Sequence, residues 1–336
     1  MIIREEAYPR AGLVGNPSDG FFGKTIAFAF SNFHAEVTIW ESPEIDLVPS
    51  LRDHSHFPNI QGLVEDVEML GYYGGIRLLK AAIKRFYDHC KETGADLHAR
   101  NFTMRYDSTI PHLVGLAGSS AIIAACFRAL MKFYDVSIER PQLANLILSA
   151  EKDELGISAG LQDRVVQSYQ GVVYMDFDRD LMEQQGYGRY EELDPCLLPP
   201  LYIAYRTDLS EGSEVPHNDL TQRFRREEPE VLDAIRFWAD LTDKVRAGIE
   251  GGNGGKISDY LNQNFDRRAE LYAISEGNTA MISAAREVGA SAKFTGSGGA
   301  IVGTYEGDEM FSELTAKLES TGVKVIKPAI APAIGE

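Results

Sequence analysis

A run of small residues, Gly115-Leu116-Ala117-Gly118-Ser119-Ser120-Ala121, stands directly ahead of an apolar stretch with helical spacing. Glycine lets the backbone take dihedrals that other residues avoid and brings the chain close to a ligand. A helix starting at Ser119 or Ser120 presents free N–H groups and the positive end of its dipole, which together suit a phosphate. The serine hydroxyls add a donor and a candidate magnesium ligand. The same residues also suit a turn and a serine-capped helix with no ligand at all. No lysine follows the glycines, so the run is not a Walker A loop.

Two acids add to this. Leu143, Ile147 and Glu151 share one helical face at i, i+4 and i+8, so Glu151 continues an apolar stripe. A carboxylate there requires a partner, either a metal ion or a buried arginine. Asp163 stands beside Arg164 in Gly160-Leu161-Gln162-Asp163-Arg164-Val165. The pair reads either as a surface ion pair or as a carboxylate held ionised by a cation and able to accept a proton. Two more glycine segments flank these. Residues 7–19 carry Arg10 and Asp19 on either side of Gly12 and Gly15 and read by default as a surface loop. Residues 293–303 contain Gly296-Ser297-Gly298-Gly299 followed by strand-like residues, which suits a tight turn in a hairpin.

The elements that must position these groups are legible in the residue pattern. Residues 25–30 and 35–40 read as strands. Residues 75–91 read as a helix, with Ile76, Leu79, Ala82, Ile83 and Phe86 near helical spacing. Residues 97–106 alternate as a strand, and 119–134 and 141–155 are helical. Pro141 suits a first turn and Gly156 the position past a helix end. Residues 172–177 and 201–205 read as strands, separated by a polar stretch at 178–194. A boundary near residue 190 divides the chain into residues 1–190 and 191–336, the second with long helical patterns and a glycine loop at 251–255.

The chain's 336 residues suffice for two domains and a sizeable core. Apolar residues at 44% and charged residues at 25% are those of a soluble globular enzyme. Lys plus Arg (33) against Asp plus Glu (50) gives a net charge of −17, which repels a polyphosphate backbone and argues against nucleic acid as a partner. Cys90, Cys126 and Cys196 are scattered without a CxxC pair, so neither a disulfide framework nor a zinc site is indicated. His54 and His56 straddle Ser55 without further metal ligands, and Tyr72 and Tyr73 suit a pocket wall or aromatic core packing. The first residues are charged where a signal peptide is apolar, and no segment reaches the roughly 18 apolar residues of a membrane span. These features predict a cytoplasmic protein with no membrane partner; the oligomeric state is not encoded in them.

Taken in order, the segments resemble the GHMP kinase superfamily of galactokinase, homoserine kinase, mevalonate kinase and phosphomevalonate kinase. Residues 9–19 are similar to the galactokinase-type motif P-G-R-V-N-L-I-G-E-H-T-D, with Arg10, Gly15 and Asp19 on its Arg, Gly and Asp. Residues 115–121 resemble G-L-G-S-S-A with Ala117 as an extra residue, Gly160-Leu161-Gln162-Asp163 resembles G-I-M-D, and 293–303 resemble the third motif. Within the superfamily the chain looks most like the plant glucuronokinase type. That type shares the extra loop residue and Asn16-Pro17-Ser18 in place of Glu-His-Thr, together with Gly71-Tyr72-Tyr73-Gly74-Gly75 and Leu148-Ser149-Ala150-Glu151-Lys152.

The resemblance implies an α+β, two-domain GHMP kinase fold: an N-terminal ribosomal-protein-like α+β domain with the nucleotide loop, and a C-terminal ferredoxin-like domain across a cleft. It implies ATP bound on the N–H groups of 115–120, with Ala121 completing the loop, and Mg2+ held by Ser120 and Glu151. It further implies Asp163 as the base for a sugar hydroxyl, Arg10 keeping Asp163 ionised, Asp19 on sugar hydroxyls, and Gly296, Ser297 and Gly298 closing the site. The implied partner is a small sugar or sugar acid, D-glucuronate phosphorylated at its anomeric hydroxyl, with Lys24, Arg164 and Arg206 available to its carboxylate. Galactose or a heptose phosphate as acceptor keeps the same chemistry, and a ligand sensor without turnover keeps the same fold. Arg10, Glu151 and Asp163 together favour an enzyme.

Overall fold

The computed structural model describes residues 2–50, 53, 59–61, 74–207, 214–252, 256–271 and 273–335, with only the backbone of 214–219. His54, His56, Gly71, Tyr72, Tyr73 and the 253–255 part of the glycine loop lie outside the described residues. The strands are β1 (Ile2–Ala7), β2 (Arg10–Val14), β3 (Lys24–Ala29), β4 (Ala35–Ser42), β5 (Asp46–Val48), β6 (Asn101–Ser108), β7 (Val172–Asp176), β8 (Arg189–Leu193), β9 (Leu201–Tyr205), β10 (Lys293–Phe294), β11 (Ala300–Thr304) and β12 (Lys324–Ile326). The helices are α1 (Gly75–Thr93), α2 (Gly118–Tyr134), α3 (Arg140–Ser149), α4 (Gln162–Tyr169), α5 (Arg179–Gln185), α6 (Glu214–Arg225), α7 (Pro229–Glu250), α8 (Ile257–Leu271), α9 (Glu276–Glu287) and α10 (Gly307–Glu319).

These strands form three sheets, ordered β1-β4-β6-β5, β2-β3-β7-β8 and β10-β11-β9-β12. The first is antiparallel except where β5 runs parallel to β6. Its inner face, with Val37, Ile39, Phe102 and Met104, packs under α1 and α2. α2 is apolar around most of its surface because it is covered on several sides, Ile123, Ala124, Cys126 and Phe127 being fully buried. The second sheet packs against α4, Val165 and Val166 meeting Ala27 and Val173. In the third, Tyr202, Phe294 and Ile301 pack with Met281 and Ile282 of α9 and Leu314 and Leu318 of α10. This is the mixed helix-and-sheet, two-domain α+β architecture anticipated. No helix among the described residues is long and apolar enough to cross a membrane.

Two local expectations are corrected, and one polar stretch proves to be structured. Residues 10–14 are a strand, not loop: Ala11, Leu13 and Val14 are fully buried between β3 and the rest of the core. The polar stretch 178–194 contains α5 and β8, the latter an edge strand whose polar residues are tolerated because among the described residues only β7 pairs with it. The helix anticipated over 141–155 ends as α-helix at Ser149 and continues as a π-helical turn, Ala150–Glu154. Such turns occur often at functional sites.

Candidate active site

The glycine–serine loop enters α2 without a side-chain cap, and Ala117 at the N-cap position takes a left-handed φ of 60°. The loop's carbonyls are pinned from outside. Arg10 Nη1 donates to Gly115 O at 2.7 Å, the Thr295 hydroxyl to the same oxygen at 3.2 Å, and Gln167 Nε2 to Ala117 O at 2.9 Å. Ser120, fully buried, donates to Ala117 O at 3.2 Å. With carbonyls held back, the first-turn amides of a 17-residue helix are left to the cleft that Gly115 through Ser120 line.

Facing the loop are five charged groups, Arg10, Asp19, Glu151, Asp163 and Arg164. Arg10, nearly buried at the start of β2, donates from Nε to Asp163 Oδ1 at 2.5 Å. Arg164 Nη1 lies 3.1 Å from Asp163 Oδ2, and the same guanidinium clamps Glu151 through Nε at 2.7 Å and through Nη2. Asp163 sits in the first turn of α4, whose positive end adds to this field. Burial pushes the Asp163 carboxyl up, but Arg10 and Arg164 outweigh it and hold the group below the usual carboxylate range. Glu151 is fully buried on the π-helical turn; burial raises its pKa, opposed by Arg164 and reinforced by Asp163. The Ser119 side chain also lowers it through a hydrogen bond, while Oε1 is buried and has no hydrogen-bond partner among the described residues. Asp19 is pushed up to about 6 by burial and by the neighbouring Asp163, against the Gln162 N–H, Arg10 and Arg164. Its carboxylate lies over Gly160, where a Cβ would stand 2.1 Å from Oδ2.

One cleft therefore gathers Arg10, Asp19, Gly115, Leu116, Ala117, Gly118, Ser119, Ser120, Glu151, Asp163, Gly296 and Ser297. Two anticipated residues do not line it. Ala121 is fully buried within α2, and Gly298 stands behind the wall, its carbonyl 2.7 Å from where a Cβ on Gly115 would sit. Neither Lys24 nor Arg206 lines the cleft; Lys24 pairs with Asp243 at 2.7 Å. Asp163 and Arg164 are no surface pair, and the 293–303 hairpin is both a tight turn and a wall of the cleft. Sequence reasoning passed over Asn16, Tyr106, Ser108, Ile110 and Gln162 as lining residues. Asn16 and Gln162 carried a signal, since each differs from the galactokinase-type motif at its position; Tyr106, Ser108 and Ile110 did not.

The match to known proteins agrees with this geometry. Residues 77–171 match the GHMP kinases N terminal domain family. The chain is 41% identical over 308 residues to probable glucuronokinase 2 of Arabidopsis thaliana, covering 90% of this chain and 84% of that protein. It is 38% identical over 337 residues to glucuronokinase 1 of the same plant, covering 98% and 92%. Its fold superposes on Lactococcus lactis galactokinase complexed with galactose with a TM-score of 0.76 at 14% identity, covering 99% of this chain and 95% of that one. An uncapped helix start, a doubly clamped aspartate and this degree of identity along nearly the whole chain lead to one assignment: the chain belongs to the glucuronokinase family of the GHMP kinases.

Proposed function

We propose that the protein transfers the γ-phosphoryl group of ATP to the anomeric hydroxyl of D-glucuronate, giving the 1-phosphate. The observation that carries this reading is Asp163, ionised between Arg10 and Arg164 and facing the open amides at the start of α2. The amides of residues 115–120 suit the nucleotide's phosphates. Asp163 is a weak base, but an anomeric hydroxyl is more acidic than an ordinary alcohol and grows more so as its oxygen bonds to phosphorus. A single fixed carboxylate is then sufficient to take the proton. Arg10 fixes that carboxylate and the loop carbonyl at Gly115 together, which ties the base to the phosphate cradle. Asp19 is placed to accept hydrogen bonds from sugar hydroxyls, and Gly296 and Ser297 bound the site from the third sheet.

A divalent cation fits the residues present. Glu151 offers a buried oxygen with no donor among the described residues, Ser120 is buried at the same cleft, and ionised Glu151 gains from a positive neighbour beyond Arg164. Magnesium bound there by Ser120 and Glu151 would neutralise charge developing on the phosphate oxygens. A coupled assay of ADP release over D-glucuronate, D-galacturonate, D-glucose, D-galactose and a heptose phosphate tests the reading. D-glucuronate should give the highest kcat/KM, and a neutral sugar in first place would refute it.

A further inference from the structure

The loop that carries Asp19 is fastened chiefly from the C-terminal half of the chain, and the strongest fastening is a buried lysine. Lys293 on β10 is 1% exposed, yet Nζ donates to Gly12 O at 2.6 Å, Asn16 Oδ1 at 2.6 Å and Phe294 O at 2.7 Å. Burial, with Arg268 and Arg10 nearby, pushes this amine well below its ordinary range. The three short contacts are all to oxygen, however, and only the ammonium form supplies three N–H donors.

An ammonium cannot accept a hydrogen bond, so it fixes which way the Asn16 amide faces: Oδ1 toward Lys293, NH2 away. The main chain on both sides is fixed as well, Gly15 N–H donating to Asn264 Oδ1 at 2.6 Å and Asn264 Nδ2 to Asn16 O at 3.1 Å. Gly12 leaves room for the amide, since a Cβ there would lie 3.1 Å from Asn16 Oδ1 and 2.8 Å from Thr295 O. Asn16 is 3% exposed, lines the cleft beside Asp19, and its Nδ2 donates to none of the described residues. An oriented donor without an acceptor, nearly buried in a binding cleft, is set for an oxygen of the ligand. The galactokinase-type motif has glutamate at this position, an anion that would repel a carboxylate. Of the cations considered for a substrate carboxylate, Lys24 is engaged by Asp243, and Arg164 by Glu151 and Asp163.

We propose that Asn16, turned by Lys293, reads the carboxylate of the acceptor and so selects a sugar acid over its neutral counterpart. Asn16 is the specificity residue and Lys293 a positioning residue. This rests on the sugar-acid reading above and names the group that performs the selection.

The test compares D-glucuronate with D-glucuronamide, its neutral isostere, in the full chain. Wild type should prefer the acid. Asn16→Asp keeps an acceptor for Lys293 but exchanges the outward donor for an anion. It should raise KM for D-glucuronate by about 100-fold, leave KM for ATP unmoved, and invert the preference toward the amide. Lys293→Met frees the amide to turn and should narrow the preference by about tenfold, whereas a purely structural lysine would lower kcat/KM for both acceptors equally. Should Lys293→Met not fold by circular dichroism, Asn16→Asp decides alone. Wild-type turnover of a neutral hexose with none of D-glucuronate overturns the sugar-acid reading and this inference with it. Wild-type preference for the acid, left unchanged in Asn16→Asp, overturns this inference only.

Discussion

Asp163 and Asp19 lie close enough to repel, and their surroundings drive their pKa values apart. Asp163 has two guanidiniums and stays ionised below the usual range, while Asp19, half-buried and facing that charge, is pushed up to about 6 by desolvation and by Asp163. The first consequence concerns chemistry. Asp163→Asn removes the proton acceptor while keeping its size, so kcat should fall by roughly 10²–10⁴ in a coupled assay with the melting curve still cooperative. The second concerns pH. Asp19 binds its proton more tightly folded than unfolded, so its contribution to stability is fully present below the unfolded value of 3.8 and is lost as pH rises through about 6. At pH 7 its charge is therefore a burden, and Asp19→Asn should raise the melting temperature there, by an amount that shrinks toward zero as pH falls to 4. The same substitution should raise KM for the acceptor. A melting-temperature difference that grows with falling pH would reverse this sign.

At this scale the sequence was informative where charge broke a pattern. Glu151 in an apolar stripe and Asp163 beside Arg164 both marked themselves. Lys293 did not, because a lysine ahead of a glycine turn looks like any surface lysine until the fold surrounds it. Asn16 was visible only as a departure from a motif, and its role depends on which way an amide faces.

Among elements, the π-helical turn and two glycine contacts do most to shape the cleft. Leu143 and Ile147 on α3 set the stripe, and the widened turn at Ala150–Glu154 carries Glu151, fully buried, to Arg164. Removing one partner of such a pair leaves the other charge buried, so Glu151→Ala should destabilise the fold by about 3–5 kcal/mol in urea titrations. Gly296 brings the β10–β11 hairpin against the nucleotide loop. A Cβ there would lie 2.5 Å from Gly115 O and 2.9 Å from Arg10 Nη2. Gly296→Ala must shift the loop or Arg10, and kcat should fall by roughly 10²-fold, the scale of an ångström's misplacement. Unaltered kcat would mean the hairpin is only a lid. Long helices and buried strands were legible because their apolar spacing is regular. β2 was obscured by Gly12 and Gly15, which resemble loop residues but serve close packing, and β8 by its polar edge position.

For the whole molecule, the cleft lies where all three sheets contribute: β2 supplies Arg10, the turn after β6 leads into the glycine–serine loop, and β10–β11 supplies Gly296 and Ser297. The hydrogen bonds of Lys293, Thr295 and Asn264 to residues 12–16 tie these parts together, so ligand binding should be felt globally. Saturating nucleotide at a hundred times Kd adds about 2.7 kcal/mol to stability. The melting temperature should accordingly rise with ATP concentration and rise again with D-glucuronate, but not with D-glucuronamide at the same concentration. With a net charge of −17 the field at long range opposes anions, so a small anionic ligand must be held by local donors such as the loop amides.

The most direct measurement follows the phosphorus itself. Phosphorus NMR of a reaction containing the protein, Mg2+, ATP and D-glucuronate should show γ-phosphate lost as an anomeric sugar phosphate appears in equal amount, with both changes slowed by roughly 10²–10⁴ in Asp163→Asn. ATP left intact beside D-glucuronate, or phosphate arriving at a non-anomeric oxygen, would contradict the account.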